Sequence, residues 1–201
     1  MPMMLQNVAC AAAVALCVCF ALWDDERAQP AGRIAPDEPL QGEPLDAGPI
    51  SIGSFVIEAR ASYQLTARVL SHRRYTYDGL AALVPIDIAF GWGEMSDTAV
   101  LSRLSISQSG RWYYWSARGP TLPIPRDAII RSSANTHLIP MSEEVRETLL
   151  RARTGDILRL DGELVDIFKD GKIFARTSLT RTDTGGGSCE IMYVRQAEIV
   201  P

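Results

Sequence analysis

Phe55, Ile57, Ala59, Ala61, Tyr63, Leu65, Ala67 and Val69 put an apolar residue at every odd position of this stretch. Glu58, Arg60, Ser62, Gln64, Thr66 and Arg68 fill the even ones from 58 onward. A period of two sends alternate side chains to opposite faces, so the stretch reads as a strand with one buried face. Run straight at about 3.3 Å per residue it would reach about 50 Å, well beyond an ordinary strand. It is therefore expected to coil or bend around Ala59 to Ser62. A long curved first strand of this kind is what small five-stranded barrels use.

The later sequence supports the same class. Arg111 to Trp115 is dense in aromatics and suits a strand. Ile157 to Leu160 and Glu163 to Phe168 read as strands around Asp161-Gly162, taken as a tight turn or a glycine bulge. Asp170-Gly171 turns into Ile173 to Thr180, and Cys189 to Val194 is the last strand. Ser96 is expected to cap a short helix through Leu104, while Tyr75 to Gly93 reads as irregular. Ser142 caps the main helix candidate, with Glu143 and Glu144 at its start, Arg151 and Arg153 at its end, and Gly155 following. The fold expected is mainly β (α+β), a small OB-like or SH3-like β-barrel with one main helix.

Ahead of this domain the chain changes character. Met3 to Trp23 is an apolar run, closed by Asp24, Asp25, Glu26 and Arg27. It has the length of one hydrocarbon core, with Trp23 where an interfacial aromatic belongs. No Lys or Arg precedes Val8 and no small-residue cleavage site follows Leu22, so residues 1–23 are read as a single transmembrane anchor, a signal peptide being the alternative. Residues 24–50 carry five prolines, Pro30 to Pro49, interleaved with glycines, and read as an acidic, disordered tether to a domain spanning residues 51–201. The chain's net charge of −4 comes from this segment: it holds seven acids and two bases of the chain's 24 and 20, leaving the remainder close to neutral. A near-neutral domain lacks the field that concentrates a polyanion, which argues against nucleic acid. Cys10, Cys17 and Cys19 lie in the apolar run, so Cys189 stands alone in the domain and no disulfide within it is possible.

Several motifs carry a resemblance: Gly91-Trp92-Gly93 followed by Met95-Ser96-Asp97, Ile106 to Tyr113, Ser133 to Pro140, and Arg181 to Glu190, together with Tyr77-Asp78 and Pro85 with Asp87. In these the chain resembles a group of N-terminally membrane-anchored bacterial proteins of proteobacterial type, a group with no assigned function. The resemblance spans most of residues 55–195 and implies an envelope protein. It transfers no catalytic residue.

Four sets of side chains are candidates for function. Arg74, Tyr77, Arg111, Trp112, Tyr113 and Trp115 combine arginine with aromatic rings, a pairing that docks proteins or stacks on bases and sugars. Cys189 with His137 is a possible nucleophile and base, with Asn135 or Asp183 as orienter and Gly185 to Gly187 as a source of oxyanion donors. Asp78, Asp87 and Asp97 are weak candidates for a hard cation. The glycine loop lacks the Lys-Ser/Thr of a phosphate-binding loop and precedes a strand, so it reads as a hairpin tip, and no cofactor motif is present. The first expectation is a non-enzymatic interaction module on the outer side of the bacterial inner membrane, in the periplasm, docking envelope proteins. The alternatives are a thiol-dependent hydrolase or transferase using Cys189 and His137, and an OB-like nucleic-acid binder should the domain face the cytoplasm.

Overall fold

The computed structural model describes residues 26–45 and 48–201. The Met3–Trp23 run, expected to be a membrane anchor, lies outside the described residues. Among the described residues no helix is long and apolar enough to cross a membrane.

The strands in chain order are β1 (Leu40–Gly42), β2 (Ile50–Ile52), β3 (Phe55–Arg74), β4 (Ile86–Gly91), β5 (Leu104–Ser109), β6 (Trp112–Ala117), β7 (Ser133–Pro140), β8 (Ile157–Lys169), β9 (Lys172–Ala175) and β10 (Glu190–Val200). The helices are α1 (Thr98–Leu101), α2 (Arg126–Arg131) and α3 (Glu143–Arg151). The protein is mainly β. Five strands close into a ring in the order β3-β4-β7-β10-β8, with β8 returning to β3. The β7–β10 pair is parallel and the other four pairs are antiparallel.

Closure depends on β3 having two partners. Its residues 55–68 pair with β8 and its residues 68–74 pair with β4. The register slips between Ala59 and Ala61, where the sequence calls for a bend. That bulge alters the meaning of the alternation. An extra residue in one strand reverses which face the next odd position occupies. Phe55 and Ile57 therefore pack with Val165 and Ile167 on the outer face of the sheet. Ala61, Tyr63, Leu65, Ala67 and Val69 face the interior with Leu158, Leu160 and Leu164. The one apolar stripe of the sequence serves two cores. A second slip at Leu70 turns that side chain outward, onto Ala89 and Met95.

β4 is the strand that alternation misses. All six of its residues are buried. Ile86, Ile88 and Phe90 enter the ring interior, while Ala89 is covered on the outside by Leu104 and Ile129. A strand covered on both faces shows no polar face to read. Ser96 is also placed differently from expectation. It ends a 3-10 turn over Gly93–Ser96 and is buried, donating to Gly93 O and accepting from Ala35 N–H. Asp97 is the helix cap, accepting from Ala99 N–H at 2.8 Å. The main helix is as read: Ser142 accepts from Val145 N–H, a cap worth about 1 kcal/mol, and Val145, Leu149 and Ala152 join the interior cluster.

Asp161-Gly162 is not a turn. β8 runs through it unbroken, and the irregularity lies on the opposite strand between Val194 and Gln196. Gly162 is held there by contact, since a Cβ on it would stand 2.0 Å from the Tyr193 carbonyl oxygen.

The segment read as a tether lies along the ring over its described part. Arg27 N–H donates to Thr154 O at 2.8 Å and Gly93 N–H donates to Ala35 O at 2.8 Å. Ala35 is buried, and β1 adds to β3 opposite Ser62 to Gln64. Proline and glycine keep this segment from building a core of its own, but an extended chain can lend its backbone groups to an existing one. β1 and β2 thereby cover an edge of β3.

Gly162→Ala is expected to cost about 2 kcal/mol or more, because backbone must move to admit the methyl group. Urea unfolding of the variant checks it, and an unchanged midpoint would contradict this packing.

Candidate functional site

The site begins at a hairpin tip. β5 and β6 pair with Ser109 opposite Trp112, leaving Gly110-Arg111 as a two-residue turn. Both have positive φ, +57° and +66°. A left-handed arginine costs roughly 1–2 kcal/mol and persists only where contacts fix it. Here the contacts are many. Nε and Nη2 clamp the Asp78 carboxylate at 2.9 Å each, Nη1 reaches Asp87 Oδ1 at 2.9 Å, and Nη2 also donates to Val84 O at 3.0 Å. The guanidinium lies 4.0 Å from the centre of the Tyr75 ring. Its backbone is engaged as well: Arg111 N–H donates to Tyr75 OH and Arg111 O accepts from Asn135 Nδ2. The Arg111 guanidinium holds the Asp78 carboxyl below the usual carboxylate range.

Asp87 is fully buried on the outer face of β4, directly across from His137 on β7. Its Oδ1 stands 2.9 Å from His137 Nδ1. The ring N–H points off the oxygen, so the contact is an ion pair without an aligned hydrogen bond. Burial of the imidazole works against its charge, but the adjoining Asp87 and Cys189 outweigh it and push His137 up to about 9. The ring is thus an imidazolium at neutral pH.

Cys189 immediately precedes β10, whose Glu190 and Ile191 pair with Thr136 and His137. The same parallel register brings the Cys189 sulfur to Asn135, whose Nδ2 lies 3.6 Å away. Asn135 is held in turn by Gln108, which donates to its Oδ1 at 2.6 Å. Glu190, the next residue, is fully inside. Burial pushes its carboxyl up to about 7 against the opposing pull of Arg181, 2.8 Å away. Arg181 also lies over the Tyr63 ring and donates to Gln41, tying the approach to Cys189 to the ring and to β1.

Cys189 is part-exposed and borders two cavities. One, of about 420 Å³, runs past Asn135, Tyr114, Arg126 and Arg181. The other, of about 320 Å³, is lined by His137 and by apolar side chains including Val84, Ile167 and Ile191. Trp112 borders both.

His137 and Cys189 are therefore brought together as the sequence reading paired them, but the orienter is different. Asp87 stands behind the imidazole. Asn135 touches the sulfur instead, and Asp183 is occupied by Ser178 at 2.8 Å. Asp87 was legible only as a carboxylate near Asp78, because its link to His137 is a cross-strand register between distant segments. The cation candidates do not converge: Asp78 and Asp87 both turn to Arg111 while Asp97 caps α1. Among the described residues no group of three His, Cys, Asp or Glu side chains is arranged to hold a metal.

The arginine–aromatic set divides. Arg111 is committed inside, and Tyr113 and Trp115 pack against the cluster around Leu104 and Ile129. Trp112, Tyr114 and Tyr77 are exposed, and Arg74 donates from the surface to Leu150 O. Compared with known protein families, curated proteins and solved structures, the chain finds no match in any of the three.

His137 is raised from 6.5 to about 9, so its contribution to stability is complete below pH 6.5 and is lost as pH rises through 9. The unfolding free energy read from urea curves should fall across that window by an amount on the order of 2–3 kcal/mol, and that fall should be lost in His137→Gln. A profile equally steep in the variant would remove His137 as its source.

Proposed function

We propose that the chain is a thiol-dependent hydrolase or transferase with Cys189 as nucleophile, His137 as its proton-transfer partner and Asp87 as the positioning carboxylate. One observation carries this: the Cys189 sulfur, between the His137 ring and the Asn135 amide, stands at the wall shared by two cavities. A cysteine with only a packing role would need neither an imidazolium beside it nor space on both sides. An imidazolium next to the sulfur favours the thiolate, the reactive form. One Asn135 N–H is held by Arg111 O and the other is directed at the sulfur, where it favours negative charge on the attacking group.

The scaffold we infer is an OB-like barrel. Numbered along the ring, its strands run first, second, third, fifth, fourth, and α3 follows the third strand. OB-folds bind oligonucleotides on the outer face of the second and third strands. In this chain that face carries Asp87, Asn135 and His137 and is covered by the β5–β6 hairpin, which speaks against a nucleic-acid role. The apolar run Met3–Trp23 supports placement at the bacterial inner membrane with the domain in the periplasm. A second reading, docking to an envelope protein, rests on the exposed rings of Tyr77, Trp112 and Tyr114. Arg111 has no part in it, being held by Asp78 and Asp87.

The test is the rate of Cys189 alkylation by iodoacetamide at pH 7. A free thiol of pKa 8.5 is only about 3% thiolate there, so stabilisation of the anion can raise the rate by roughly tenfold or more. The wild type should react at least tenfold faster than His137→Gln, with both folded by circular dichroism. Equal rates would retire the nucleophile.

A further inference from the structure

We infer that the substrate is an acyl compound whose leaving group is apolar and seats in the cavity lined by Leu80, Val84, Ile167, Ala175 and Ile191, with its polar acyl part in the larger cavity. This rests on the reading of Cys189 as nucleophile and adds a direction to it.

The direction follows from which partner of the sulfur borders which cavity. His137 lines the apolar cavity and Asn135 lines the larger one, whose wall mixes polar groups with aromatic rings. The group that leaves departs beside the proton donor, because an alkoxide or amide leaves readily only as it is protonated and a departing thiolate is stabilised by the adjoining imidazolium. The carbonyl oxygen must point to a hydrogen-bond donor, and the Asn135 N–H that faces the sulfur at 3.6 Å is the side-chain donor that passes to that oxygen once the sulfur is acylated. A carbonyl carbon attacked by Cys189 therefore carries its leaving atom toward His137 and its oxygen toward Asn135. The acyl substituent continues past Tyr114, Arg126 and Arg181. At about 320 Å³ the apolar cavity falls at the small end of ligand clefts, roughly 300–1,000 Å³.

The chemistry balances without any other reagent. The thiolate sulfur bonds to the carbonyl carbon and the carbonyl π pair moves onto oxygen. On collapse that pair re-forms the double bond, and the bond to the leaving group breaks with its electrons, the departing atom taking the proton of His137. Water then adds to the acyl carbon and gives a proton to His137. The sulfur leaves with its electron pair, releasing the acid and restoring thiolate and imidazolium. An acceptor alcohol or amine in place of water makes the same step a transfer.

Two isomeric thioesters separate the directions, since they have the same atoms and differ only in which side holds the chain. S-octyl ethanethioate places it on the leaving group, and S-ethyl octanethioate places it on the acyl group. Each methylene that leaves water is worth about threefold to fourfold in binding. The wild-type protein should therefore release thiol from the S-octyl isomer with kcat/KM at least tenfold higher. Equal rates, or preference for S-ethyl octanethioate, would overturn the assignment. Rapid iodoacetamide alkylation of Cys189 with no hydrolysis of either isomer would also overturn it while leaving the nucleophile reading intact. Slow alkylation with no hydrolysis would remove both.

Discussion

The buried charge of Asp87 is the constraint on which the site depends. A carboxylate taken out of water is tolerated only where cations and donors replace its hydration. Arg111 and His137 do so from opposite directions, one from a hairpin tip and one from the neighbouring strand. Breaking such a pair by removing one partner costs on the order of 3–5 kcal/mol, because the remaining charge stays buried. That scale exceeds the strain of a left-handed arginine, which is why Arg111 can occupy a turn position that favours glycine or asparagine. The outcome is a hairpin locked onto the ring and an imidazole fixed beside Cys189.

The location of the site follows from the two faces of the sheet. The ring interior is filled by aliphatic and aromatic side chains from all five strands. Two further apolar clusters lie on the outside, one under the 80–84 segment and one under the β5–β6 hairpin. Asp87, Asn135, His137 and Cys189 occupy the outer face near both. The insertions that cover the sheet thus serve a second purpose: they wall off cavities around a thiol that a bare ring would leave open to solvent.

How far the sequence reveals this depends on the range of the interaction. The Asp170-Gly171 turn, the Ser142 cap and the bend near Arg60 are local, and each is visible in neighbouring residues. The change of face at that bend is invisible, because the apolar residues keep odd numbers through it. β4 is hidden by burial on both sides. The 26–45 segment is polar, proline-rich and unable to fold alone, so its composition reveals nothing of the backbone hydrogen bonds that place it on β3 and near Gly155. In the site, Cys189 and His137 stand out as scarce residue types, whereas Asp87 is one acid among many. Its meaning is given by strand register, which no short-range pattern encodes.

The claim at the centre of this account is that the buried carboxylate of Asp87 beside it keeps the His137 ring charged at neutral pH. The chain has only two histidines, His72 and His137. A ¹⁵N-detected NMR titration of the imidazole rings, assigned with His72→Gln, reads that state directly. The account predicts that His137 is doubly protonated at pH 7 and titrates near 9. A neutral His137 ring at pH 7, titrating at or below 6.5, would contradict it.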